Sequence, residues 1–132
     1  MRHFAEVAVG AEGDKHQGAD EDCDEKPAAD ALEAEASVEV LDIRTLKPLD
    51  EDALLGSVGK TGRAVIVQEA PRVAGYGAEL ASILAEKALL DLRAPVIRVT
   101  GYDVPYPYWQ IEDAYMPSVE RVVAAVRKTL EF

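Results

Sequence analysis

Residues 63–68 read Arg63-Ala64-Val65-Ile66-Val67-Gln68, with four consecutive apolar side chains between Gly62 and a Glu69-Ala70-Pro71 turn. A strand with one wet face alternates apolar and polar residues. A β-branched run without that alternation is a strand covered on both sides, the situation of a parallel sheet between layers of helices. Two further β-branched runs bounded by turn residues flank it, Val38-Glu39-Val40-Leu41-Asp42-Ile43 upstream and Pro95-Val96-Ile97-Arg98-Val99-Thr100 downstream. Three buried strands are predicted.

The intervals between them carry helical periods. After Pro48-Leu49-Asp50-Glu51-Asp52, which supplies an N-cap and first-turn acids, Leu54, Leu55 and Val58 form an apolar stripe that Gly59 and Gly62 end. Gly75-Tyr76-Gly77 precedes Leu80, Ala81, Ile83, Leu84 and Ala88, spaced for one face of a second helix. At the carboxy end, Val119, Val122, Val123, Val126 and Leu130 recur at helical spacing after Pro117. Strand–helix alternation implies right-handed crossovers, hence an α/β fold of three layers: a mainly parallel sheet with helices on both faces. At the amino end, Phe4-Ala5-Glu6-Val7-Ala8-Val9 alternates like a strand, and Ala28 to Ala36 fits a helix. Together they extend the series by one unit.

Between these two lies a different kind of sequence. Residues 11–35 hold ten acids (Glu12, Asp14, Asp20, Glu21, Asp22, Asp24, Glu25, Asp30, Glu33, Glu35) against Lys15 and Lys26, a local net of −8. From Gly10 to Pro27 almost nothing large and apolar is available to offset ordering entropy, so a flexible segment is expected there. The chain is accordingly divided into residues 1–27, a variant strand plus acidic flexible segment, and residues 28–132, the folded domain.

Composition narrows the function. The 132 residues suffice for one core, with 48% hydrophobic content. A formal net charge of −11 repels phosphate backbones and anionic headgroups, which argues against nucleic-acid and membrane partners. One cysteine, Cys23, excludes an intrachain disulfide and fits a reducing compartment, and no apolar run approaches the roughly 20 residues of a membrane span. A cytoplasmic protein is expected. His3, His16 and Cys23 among Asp20, Asp22 and Asp24 match neither zinc nor calcium spacing, and after His16 the chain has no histidine for a catalytic triad.

The remaining motifs are structural in type. Gly59, Gly62, Gly75, Gly77 and Gly101 fall at element boundaries, where a missing Cβ permits close approach. Gly75-Tyr76-Gly77 opening a helix has the geometry of a weak anion cradle, without the full dinucleotide fingerprint or a phosphate-binding lysine. Arg44, Glu69 and Arg72 flank strand carboxyl ends, where open α/β sheets bind ligands, and an Arg–Glu dyad, a salt bridge and a subunit contact are all open there. Four of the five tyrosines and the only tryptophan (Tyr102, Tyr106, Tyr108, Trp109, Tyr115) lie within 14 residues, stiffened by Pro105, Pro107 and Pro117. Such amphipathic rings outside a regular element suit either a loop folded over the core or an interface.

From Val38 onward the chain resembles the carboxy-terminal, transketolase-type domain of 2-oxoacid dehydrogenase beta subunits. The blocks that carry the resemblance are Val38-Glu39-Val40-Leu41-Asp42-Ile43-Arg44-Thr45-Leu46-Lys47-Pro48-Leu49-Asp50, Lys60-Thr61-Gly62-Arg63, Glu69-Ala70-Pro71 with Gly75-Tyr76-Gly77-Ala78-Glu79, and Ala94-Pro95-Val96-Ile97-Arg98-Val99-Thr100-Gly101-Tyr102-Asp103-Val104-Pro105-Tyr106-Pro107. The resemblance implies an enzyme that decarboxylates a 2-oxoacid on thiamine diphosphate and passes the acyl group to a lipoyl arm. In that family the alpha subunit holds the cofactor diphosphate and magnesium, and the activating glutamate lies in the amino-terminal domain of the beta subunit. No catalytic, cofactor-binding or metal residue is therefore expected in this chain.

What the resemblance leaves is assembly: contact with an alpha subunit, homodimer contact with a second beta subunit, and docking of the basic subunit-binding domain of the acyltransferase. The expected interface residues are Tyr102, Tyr106, Tyr108, Trp109, Glu112, Asp113, Tyr115, Glu131 and Phe132. The alternatives are the equivalent domain of transketolase or deoxyxylulose-phosphate synthase, and an independent flavodoxin-like module binding an anion at Gly75 to Gly77.

Overall fold

The computed structural model describes residues 3–8, 25–32, 34–107 and 109–132. Their order is β1 (His3–Ala8), α1 (Glu25–Leu32), β2 (Ser37–Asp42), α2 (Glu51–Thr61), β3 (Ala64–Pro71), α3 (Gly77–Lys87), β4 (Ile97–Gly101), a 3-10 turn (Trp109–Ile111), α4 (Glu112–Tyr115) and α5 (Val119–Leu130). The strands form one wholly parallel sheet in the order β2-β1-β3-β4.

The run at 63–68 is the centre of this arrangement. Successive side chains of β3 point to opposite faces. Ala64 and Ile66 enter a core with Leu54 and Val58 of α2 and with Leu80 and Leu84 of α3. Val65 and Val67 enter a second core with Ala28 and Leu32 of α1, Val99 of β4, and Val122 and Val126 of α5. The strand is fully covered, as the missing alternation requires, and the three-layer expectation holds.

Local chemistry fixes the helix ends. Asp50 caps α2, its carboxylate accepting from the Ala53 amide at 3.0 Å. Gly62 closes the same helix with φ 72°, where a side chain would be strained and would also meet the aliphatic arm of Arg93 at 2.9 Å. Ser118 caps α5, accepting from the Arg121 amide at 3.4 Å. At the other end of α5, the buried Arg63 donates from Nε to the Thr129 carbonyl at 2.9 Å, placing a cation at a helix carboxy terminus. Arg127 grips Glu35 through two bonds, Nη2 to Oε1 at 2.6 Å and Nε to Oε2 at 3.0 Å, which ties α5 to the loop after α1.

The amino-terminal unit joins the same sheet: β1 lies between β2 and β3, in register from His3↔Ser37 to Ala8↔Asp42 and from Ala5↔Ala64 to Ala8↔Val67. The aromatic segment is not wholly irregular, because the 3-10 turn and α4 occupy 109–115, the stretch between Pro107 and Pro117 that contains no proline. Of the segment from Gly10 to Pro27 expected to be flexible, residues 10–24 lie outside the described residues, and the last three residues open α1.

Truncating Ile66 to alanine opens a cavity between α2, α3 and the sheet, and urea denaturation should show a loss of about 2–5 kcal/mol. A loss below about 1 kcal/mol would mean that β3 is not sealed on that face. The Glu35–Arg127 pair gives a pH signature. The hydrogen-bonding guanidinium, and secondarily its charge, hold the Glu35 carboxyl below the usual carboxylate range. The stabilisation is thus complete above the unfolded-state value of about 4.3 and is lost as pH falls through the lower folded-state value. Arg127→Gln should destabilise the protein at neutral pH, and the gap between variant and wild type should close in acid.

Candidate functional site

In open α/β sheets the usual ligand crevice lies beyond the strand carboxyl ends, where the strand order reverses. Here that reversal falls between β1 and β3, and the buried Gln68 side chain occupies the β3 side of it. Its Nε2 donates to the carbonyls of Pro71 at 2.9 Å and Ala70 at 3.2 Å, and its Oε1 accepts from the Gly77 amide at 2.6 Å. The next amides of α3 are also engaged: Ala78 donates to Gly75, and Glu79 and Leu80 donate to Tyr76. A bound anion would need those amides free, so Gly75 to Gly77 is a brace and not a cradle. The same donor set does not fit a cofactor diphosphate. Among the described residues no three His, Cys, Asp or Glu side chains are grouped to hold a metal ion.

The loops after β3 and β4 are stitched together beside this brace. Arg72 donates from Nη1 to the Arg98 carbonyl at 3.1 Å and Arg98 from Nη1 to the Arg72 carbonyl at 3.2 Å, while the Val73 amide donates to Asp103 Oδ1 at 2.8 Å. Arg121 of α5 donates to the Thr100 carbonyl at 2.6 Å and lies 4.9 Å from the centre of the Tyr102 ring. Tyr115 is 3% exposed and supports two outer rings edge-on, Tyr106 at 5.0 Å and Tyr102 at 6.4 Å between ring centres. Its phenol end lies against Gly101, and its buried hydroxyl has no hydrogen-bond partner among the described residues. Tyr102 and Tyr106 are each about half exposed, and Val73, Val104 and Ile111 are exposed as well.

The sequence-predicted residues divide accordingly. Tyr102 and Tyr106 are exposed, Tyr115 is their internal support, Tyr108 lies outside the described residues, and Trp109, Glu112 and Asp113 fall in the 3-10 turn and α4. Glu131 and Phe132 are exposed, but not beside these. The 12 residues of α5 run from Thr100, at the strand carboxyl ends, to Arg63, at the start of β3, a span of about 18 Å. Phe132 therefore shares the opposite, amino edge with Leu89 and Leu90, the latter 98% exposed. Glu112 and Asp113 belong to α4, and Glu131 and Phe132 follow the last residue of α5.

The arginines flagged at the strand ends do not build a dyad with Glu69. Arg44 pairs with Asp42 at 2.9 Å beside a cleft of 370 Å³ lined by Leu41, Ile43, Pro48, Leu49 and Ala53, and Arg72 donates to the Arg98 carbonyl. His16 and Cys23 lie outside the described residues. Sequence reading missed Val73, Val104, Leu89, Leu90 and the organising role of Arg121. The consecutive leucines just past the apolar stripe of α3 were the available signal for one pair.

Neighbouring residues of the 72–77 loop should respond oppositely to substitution. Ala74 has φ 59°, so Ala74→Gly should raise stability by about 1 kcal/mol. A Cβ on Gly75 would collide with the Gln68 amide and the Pro71 carbonyl, so Gly75→Ala should cost about 2 kcal/mol or more. Thermal or urea melts of both variants check this, and equal effects of the same sign would refute the bracing role.

Comparison with known proteins agrees with this architecture. Residues 26–122 match the family model described as "Transketolase, C-terminal domain". The beta subunit of the pyruvate dehydrogenase E1 component from Staphylococcus epidermidis is 50% identical over 106 residues, and that from Staphylococcus aureus 47%. Each match covers 80% of this chain and 33% of the relative, so the chain spans a third of their length. A solved structure titled "Split gene transketolase, inactive beta4 tetramer" superimposes with a TM-score of 0.75 at 30% identity, covering 98% of this chain and 39% of that one. The sheet order, the brace at Gln68 and these relatives converge: the chain belongs to the transketolase C-terminal domain family, as represented in the beta subunits of pyruvate dehydrogenase.

Proposed function

We propose that this chain is the assembly and partner-docking domain of a 2-oxoacid dehydrogenase beta subunit. The observation that carries the reading is the 50% identity to a pyruvate dehydrogenase beta subunit, in a domain whose α3 amino terminus is occupied by its own glutamine. The enzyme it serves oxidatively decarboxylates a 2-oxoacid on thiamine diphosphate and transfers the acyl group to lipoyl. This domain holds neither the cofactor nor the magnesium ion; both belong to other parts of the assembly. Its work is contact with an alpha subunit, with a second beta subunit and with the basic subunit-binding domain of the acyltransferase. No described helix is long and apolar enough to cross a membrane, and a cytoplasmic location follows from the same reading.

Docking of the basic domain is assigned to the end of α5, where exposed Glu131 adjoins exposed Phe132. Negative charge at a helix carboxy terminus opposes the helix dipole, and a cationic partner relieves that cost. Across the whole molecule a net charge of −11 accelerates encounter with a basic partner.

Calorimetry should detect no binding of thiamine diphosphate with magnesium to the isolated chain, and should detect salt-sensitive binding of the acyltransferase's subunit-binding domain. Deleting Glu131 and Phe132 should weaken that binding about tenfold and flatten its salt dependence. Micromolar cofactor affinity would overturn the assembly reading, and unchanged docking by the intact-fold deletion would move the docking face elsewhere.

A further inference from the structure

We draw no further inference here: the strongest candidate, the apolar cleft walled by Leu41, Ile43, Pro48, Leu49 and Ala53 beside β2, the end strand of the sheet, carries nothing because no feature of the structure shows what covers it.

Discussion

Everything in this domain depends on β3 having no wet side. Its successive residues alternate between two cores, Ala64 and Ile66 toward α2 and α3, Val65 and Val67 toward α1 and α5. A strand so buried must have helices on both faces, and parallel neighbours supply them because every crossover leaves a helix behind. The position of β1 follows from the same demand. With β1 on one flank and β4 on the other, the buried part of β3 is paired on both sides, as an interior strand requires.

The sequence was informative wherever burial or local chemistry left a period. The runs at 38–43, 63–68 and 95–100 became β2, β3 and β4 with shifts of one to three residues at their ends, and the stripe ending at Leu130 became α5 over Val119–Leu130. The position of β1 was less legible because Phe4 to Val9 states that a strand exists but not which neighbours it takes, and pairing order is a property of the whole sheet. The short α4 was hidden for a related reason. Pro105, Pro107 and Pro117 made the whole segment look extended, although the stretch between the last two contains no helix breaker.

The candidate site was legible in its rings and not in their arrangement. Clustering picked out Tyr102, Tyr106 and Tyr115 together, but whether a tyrosine is support or surface depends on what lies beneath it. Tyr115 lies over Gly101 and carries the other two, a relation between residues 14 apart that no periodicity encodes. Gln68 escaped notice for the converse reason. A glutamine ending an apolar run looks like the return of the chain to water, yet this one is turned inward and holds the loop before α3 by three hydrogen bonds.

Helix α5 has a consequence beyond covering the sheet. It is held at one end by Arg121 on the Thr100 carbonyl and at the other by Arg63 on the Thr129 carbonyl, so it acts as a strut of fixed length between the two edges. Sliding along the sheet would break one bond or the other, so the helix is registered against both β4 and the start of β3.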